Sequence, residues 1–397
     1  MRKAFIAAGA VAAAVVAAMV PLSSASASPG SPGALTVAVY GDAPYGTTPT
    51  DNAEFLATPA FIDSINADSQ VSFVAHVGDI HSGKQFCTQA YDESIANLWQ
   101  AYQKPLVYTP GDNEWTDCHK AGEGGGTYDP TTGQIKFVLD PTTGQPVDYA
   151  GGNPAANLDL IRSIFFPQPG RTLGTSMRVL SQAQLYDRDH PSDAKYVENV
   201  MFDRAGTLFV TLNLPGGSNN DNDVWYGAPT QSAAQAQDVA ERTGADLRWL
   251  DRAFAQAEFD HDRGVVVLEQ ADMWDLDGNT SAHLAAYDPF IDSLASHTTE
   301  FGKPVLLMNG DSHVYRSDNP LEPNAPCTTE AAGGREQACA SAADAHPGYN
   351  VPNFHRIVVH GSTFPLEWLK LTITPGSHAP TGPNTFGPFS WQRQIQQ

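Results

Sequence analysis

Along the chain, short apolar runs of strand length alternate with stretches whose apolar residues recur at helical spacing. Residues 35–40 form the first apolar run, and 53–67 carry Phe55, Leu56, Phe61 and Ile65 at helical spacing, interrupted by Pro59. A second strand is expected at 71–77, a helix at 94–103 with Ile95, Leu98 and Tyr102 on one face, and a third strand at 106–109. This β-α-β-α-β order predicts largely parallel strands joined by right-handed crossovers. Residues 158–166 read as a helix, 208–214 as a strand, and 231–258 as the longest helix, with Leu247, Leu250 and Phe254 on one side. Strands are expected again at 264–268 and 303–309, and 356–360 and 368–373 read as closing strands. Trp99, Trp249 and Trp368 fall inside these apolar patterns and are expected in the core.

Three stretches break the rhythm. Residues 121–153 are glycine-rich and contain Asp-Pro-Thr-Thr-Gly-Gln twice, at 129–134 and 140–145, as in successive turns of a surface hairpin. Residues 215–223, rich in glycine and asparagine, read as a loop able to cover a site, and 327–347 read as an exposed loop. No linker divides the remainder. The expected organisation is a signal peptide at 1–27, a flexible segment at 28–33 and one domain at 34–397, with an inserted loop region at about 121–153 and a disulfide-pinned loop at about 327–347.

The leader assignment rests on Arg2-Lys3, an apolar run through Val20 and the small residues Ala25-Ser26-Ala27. It implies a secreted, extracellular protein with no stable membrane association. The chain has 397 residues, 41% of them hydrophobic, enough for a substantial core. Its formal net charge is −22, and loss of Arg2 and Lys3 leaves 20 basic against 44 acidic side chains, or −24. Such a surface repels polyanions, so no nucleic-acid partner is expected. In an oxidising compartment the four cysteines fit two bridges, Cys87–Cys118 and Cys327–Cys339, the first tying together two segments rich in carboxylates.

Those carboxylates carry the chemistry. Gly41-Asp42, Gly78-Asp79, Gly111-Asp112 and Gly310-Asp311 each follow an apolar run and precede polar residues. In open α/β sheets the strand C-termini line the ligand crevice, and glycine there lets backbone approach closely. Four carboxylates delivered to one place repel one another and call for a cation.

The ordered blocks Asp42, Gly78-Asp79, Gly111-Asp112-Asn113-Glu114, the end of the strand at 264–268, and Gly310-Asp311-Ser312-His313 resemble the calcineurin-like metallophosphoesterases, which include the purple acid phosphatases, in a divergent secreted bacterial form. The likeness covers nearly all of the chain after residue 33. It implies an α/β fold of two mixed β-sheets packed as a sandwich and flanked by helices. Residue by residue, it makes Asp42 and His313 ligands of a first metal, Asp79 a bridge between two metals, and Asp112, Gln270 and Asp311 further ligands. Asn113 occupies the position of the family's catalytic histidine, with His81 or His119 as a substitute acid; Pro44 occupies a ligand position that it cannot serve, and Tyr45 beside it is the nearest side chain that could reach in.

The implied cofactors are two divalent ions, among manganese, iron, calcium, magnesium and zinc, with hard oxygen ligands favouring the first four at the second position. The implied reaction is hydrolysis of a small phosphoester by a metal-activated hydroxide, monoester or diester, in an oligomeric state that is left open. A non-catalytic extracellular metal- or ligand-binding protein on the same fold is the alternative, motivated by Asn113, Gln270 and Pro44. A structural cell-surface protein stiffened by disulfides is a weaker third reading.

Overall fold

The computed structural model describes residues 33–396 apart from 221, 276–278 and 332–333. The leader assigned to 1–27 lies outside the described residues. Three parallel strands, Leu35–Tyr40, Val71–His76 and Pro105–Tyr108, form the heart of an eight-stranded mixed sheet. Glu367–Ile373 runs antiparallel beside the first of them and leads into Phe389–Ile395 at the far side. A second, nine-stranded mixed sheet is built around four parallel strands, Thr207–Thr211, Val265–Leu268, Val305–Asn309 and Phe354–Val358. The protein is thus α/β with two large mixed sheets, as the resemblance implied.

The seam between the sheets is apolar. Val37, Val39, Phe73 and Val107 from one sheet meet Phe209, Val266, Leu306 and Ile357 from the other, and the Phe73 ring lies edge-on to Phe202 and Phe209 at 5.3 and 5.1 Å. Helices cover both outer faces. Ala53–Ala67, Gln89–Trp99 and Pro154–Phe165 press Ile62, Ile95, Trp99 and Ile161 onto Val74 and Leu106. Ala233–Phe259 and Asp288–Phe301 press Trp249, Leu250, Phe290 and Ile291 onto Val210, Val265 and Val305. Each large apolar side chain buried this way contributes about 1.5–3 kcal/mol, and the strands buried on both faces are the most firmly held part of the molecule. Their C-terminal ends inherit that rigidity.

The structure alters several details of the sequence reading. The helix expected at 94–103 starts at Gln89, because the Thr88 hydroxyl caps it by accepting from Tyr91 N at 3.2 Å. The one expected at 158–166 starts at Pro154, capped by Asn153. Leu56 sits on the solvent side of its helix, 68% exposed, so the face toward the sheet is Phe61, Ile62 and Ile65. Val200–Arg204, Asp288–Phe301 and Phe389–Ile395 were not foreseen. In 327–347, Thr328–Glu330 and Glu336–Ala338 pair as a hairpin that extends the second sheet, so this stretch is more ordered than a loop.

Trp99, Trp249 and Trp368 are buried in the core as expected. Both expected disulfides are present, Cys87–Cys118 and Cys327–Cys339, which fits an oxidising compartment. The two Asp-Pro-Thr-Thr-Gly-Gln copies make the same turn: Gly133 N donates to Asp129 O and Gly144 N to Asp140 O, both at 2.8 Å. Among the described residues no helix is long and apolar enough to cross a membrane.

Candidate functional site

Six sequence-predicted residues converge where the parallel strands end. Asp42 follows Leu35–Tyr40, Asp79 follows Val71–His76, Asp112 follows Pro105–Tyr108, Gln270 follows Val265–Leu268, and Asp311 and His313 follow Val305–Asn309. Four of them bend the chain sharply. Asp42, Asp79, Asp311 and His313 have φ of 52°, 61°, 75° and 64°, a left-handed conformation uncommon outside glycine and concentrated at functional sites. The neighbouring glycines explain how the carboxylates fit: a Cβ at Gly310 would overlap Asp42 Oδ2, and one at Gly111 would overlap Asp79 Oδ1.

One donor atom from each of Asp42, Asp79 and His313 can be chosen so that all lie within 4.8 Å of one another. His313 Nε2 is 3.4 Å from Asp42 Oδ1, which also accepts from Asp311 N at 2.9 Å. Asp79 Oδ2 accepts from the Tyr45 hydroxyl at 2.6 Å, Asn113 Nδ2 at 3.0 Å and Gln270 Nε2 at 3.2 Å. Gln270 Nε2 also donates to Asp112 Oδ1 at 2.9 Å, and Asp311 Oδ2 accepts from Asp272 N at 2.9 Å. Asp42 Oδ2 is buried without a partner.

Electrostatically the cluster is unbalanced. Burial pushes Asp42, Asp79 and Asp311 well above the usual carboxylate range, and the neighbouring carboxylates add to the rise. Asp112 is pushed up to about 7, first by burial and then by Asp117. His313 is lowered to about 4, chiefly by burial, so it presents a neutral imidazole. No lysine or arginine is ion-paired to the four aspartates among the described residues. A buried carboxylate cluster with an orphaned oxygen and a neutral imidazole is a donor set that fits a cation of the hard or borderline kind.

A cavity of about 310 Å³ opens beside Asp112 and Asp311, lined also by Asp117, Lys120, Ser218 and Tyr287. The loop after Leu214 closes against it. Gly216 N donates to Gln270 Oε1, and a Cβ at Gly216 would lie 2.6 Å from Asp112 Oδ2 and 2.7 Å from Asp311 Oδ1, so only glycine lets the loop sit this low. Fully buried Arg242, from Ala233–Phe259, holds the loop through Asn219 and has its guanidinium 5.2 Å from the Trp115 ring centre. Lys120 Nζ joins Asp117 to Asp223, at 2.7 Å each, across the rim.

The structure does not bring every sequence candidate to this point. His81 is fully buried; Nδ1 contacts Ser82 O at 3.2 Å, the ring packs edge-on to Tyr91, and burial lowers it to about 4. Asn113 is at the site, but its amide is committed to Tyr45 and Asp79. Gln270 turns its amide nitrogen, not its oxygen, toward the carboxylates. His119 is buried and packs against Tyr226. Trp115, next to Glu114, is buried with the Arg242 guanidinium over its ring.

Sequence reasoning gave no role to Glu114, although its motif contains it; Glu114 braces the Gly111 turn by accepting from Gly111 N at 2.7 Å and the Tyr108 hydroxyl at 2.6 Å. It also passed over Arg242, whose position inside a long helical pattern gave no signal. No protein-family model matches the chain, and no curated protein is significantly similar to it.

Proposed function

We propose that this protein is an extracellular, metal-dependent phosphoesterase of the calcineurin-like metallophosphoesterase type. The observation that carries the reading is the convergence of Asp42, Asp79, Asp112 and Asp311 with neutral His313 at the ends of parallel strands from two sheets, with no lysine or arginine ion-paired to them among the described residues. Two divalent ions held there would supply charge neutralisation, polarisation of a phosphoryl oxygen and an activated water.

The chain's own residues divide the remaining work. Asp42, Asp79 and His313 provide one ligand set, while Asp112 and Asp311 face each other below Gly216 as a second. Gln270 and Asn113 aim amide donors at these carboxylates and fix their orientation. Gly216 and the Arg242-anchored loop cover the site and limit water, and the adjoining cavity is large enough for a small phosphoester. An amide cannot transfer a proton as an acid near neutral pH, so Asn113 acts by hydrogen bonding alone.

The test is elemental analysis of the purified protein followed by a panel of phosphomonoesters and diesters with added manganese, calcium, zinc or iron. Bound metal and turnover are expected, with Asp79→Asn losing at least about a hundredfold in kcat, since a bridging ligand supplies several kcal/mol. Absence of both metal and turnover would sink the reading. Stoichiometric metal with thermal stabilisation and no turnover would instead favour a non-catalytic binding protein, a possibility motivated by Asn113 being tied to Tyr45 and Asp79.

A further inference from the structure

We infer that the phosphoester taken by this site carries a cationic leaving group, an amino alcohol of the ethanolamine or choline kind. The inference rests on the phosphoesterase reading and names its substrate class. The cavity of about 310 Å³ adjoins Asp112 and Asp311, so a phosphoryl group held at those residues places its leaving group against the rest of the cavity wall. Six carboxylates line the cavity, and Lys120 is the one lysine or arginine among its described lining residues.

Ion pairing does not cancel that charge. Metal would balance Asp112 and Asp311, and Arg356 balances Asp272. Lys120 Nζ lies 2.7 Å from both Asp117 and Asp223 and can neutralise only one of them, while Asp275 adds a further carboxylate. The outer wall therefore stays anionic. Its hydrogen-bond donors are also engaged: Ser218 Oγ donates to His283 O, the Tyr287 hydroxyl to Pro215 O at 3.0 Å, and Asn279 Nδ2 to Asp275 O at 3.3 Å. What the wall offers a ligand is carboxylate oxygens beside an aromatic side chain, Tyr287, the combination that holds ammonium groups. A nucleotide, a sugar bisphosphate or a polyphosphate would bring more negative charge against the same oxygens. Hydrolysis would release the amino alcohol, water supplying the hydroxyl to phosphorus and the proton to the leaving oxygen.

The test loads the full chain with manganese and measures, by calorimetry, the binding of three phosphonates of similar size: aminoethylphosphonate, propylphosphonate and carboxyethylphosphonate. The amine should bind at least about tenfold more tightly than the propyl compound, and the carboxylate more weakly than both, as expected for charges about 5 Å apart at an effective dielectric constant of about 20 with partial exposure to solvent. Raising the salt concentration should narrow the gap. Ethanolamine phosphate should exceed propyl phosphate in kcat/KM if the amine arrives on a free monoester. Glycerophosphoethanolamine should exceed its propyl counterpart if it arrives on a lipid-derived diester. Asp223→Asn should shrink the preference at least about threefold, and the wild-type order with its salt dependence decides the matter even if that variant does not fold. Equal or tighter binding of propylphosphonate or carboxyethylphosphonate overturns the amino-alcohol assignment and leaves the phosphoesterase reading standing. Failure to bind any phosphonate or to turn over any ester overturns both.

Discussion

Two groups of buried acids in this protein are neutralised in opposite ways. Besides the four strand-end aspartates, Arg356 pairs with Asp318 and with Asp272, whose backbone N–H bonds Asp311, and Arg393 pairs with Glu330 and Glu367 where His360 also bonds Glu330. Burial pushes Asp318 up, but Arg356 and Arg316 outweigh it and hold the carboxyl below its ordinary range. Glu330, His360 and Glu367 are close enough to hold a metal in outline, yet the Arg393 guanidinium already pairs with both carboxylates. At Asp42, Asp79, Asp112 and Asp311 no lysine or arginine is ion-paired among the described residues, and all four are raised. The chain therefore pairs some of its buried acids with arginine and leaves others, Asp92 and Asp148 as well as these four, without an ion pair to lysine or arginine among the described residues. What marks the strand-end cluster as a site for an external cation is that its unpaired acids gather with His313 beside the cavity, where a guanidinium would occupy the ligand lone pairs.

The contrast is broken or sharpened most strongly at Arg356. Arg356→Met leaves Asp272 buried without its charged partner and Asp318 with Arg316 alone, which is expected to cost about 3–5 kcal/mol in denaturant unfolding. Asp79→Asn should do the reverse in metal-free protein, raising stability by removing one of several like charges, and should abolish most stabilisation by added metal. If Asp79→Asn destabilises the metal-free protein as much as Arg356→Met does, the two clusters are not different in kind.

Much of this was legible in the residues, and the reason is periodicity. An apolar run of four to six residues ending in Gly-Asp announces both a buried strand and the group at its end, so Asp42, Asp79, Asp112 and Asp311 could be gathered before any coordinates. The bridge from Cys87 to Cys118 followed the same logic. What stayed hidden depends on side-chain direction or on distant packing. Arg242 reaches the site only because a 27-residue helix crosses behind the loop after Leu214. His81 sits two residues from Asp79 but is turned away, since the left-handed turn at Asp79 redirects the chain into the Tyr91 contact. Gln270 stands where a ligand was expected, and only the structure shows which end of its amide faces inward.

The pH response should also separate the clusters. Asp112 has a folded value of about 7 against 3.8 for the free side chain, so its contribution is fully present below about 3.8 and is lost as pH rises through about 7. Asp42, Asp79 and Asp311 act in the same direction. Asp318 has the opposite sign: it contributes above the ordinary carboxylate range and loses that contribution as pH falls through its depressed value. In metal-free protein, the stability of the wild type relative to Asp112→Asn should therefore decline from about pH 4 to about pH 7. Excess manganese should flatten the decline, because the cation takes the place of the protons. A relative stability that climbs over that interval would contradict the sign.

The smallest expected effect, and the finest distinction, concerns Gln270. Its amide nitrogen donates to both Asp79 and Asp112, and its oxygen accepts from Gly216 N, so in this orientation it joins the carboxylates to the covering loop and offers no lone pair to a cation. To act as a ligand it would have to turn its oxygen inward and surrender the Gly216 bond. If it positions the carboxylates, Gln270→Leu should weaken metal binding about 10–100-fold. Gln270→Glu should weaken it as well, because the new carboxylate cannot donate to its neighbours and enters an already crowded cluster. A true ligand position would respond differently, with Glu binding metal more tightly than the wild type. Metal titration of the two variants followed by calorimetry separates these roles, and tighter binding by Gln270→Glu would return Gln270 to the ligand set.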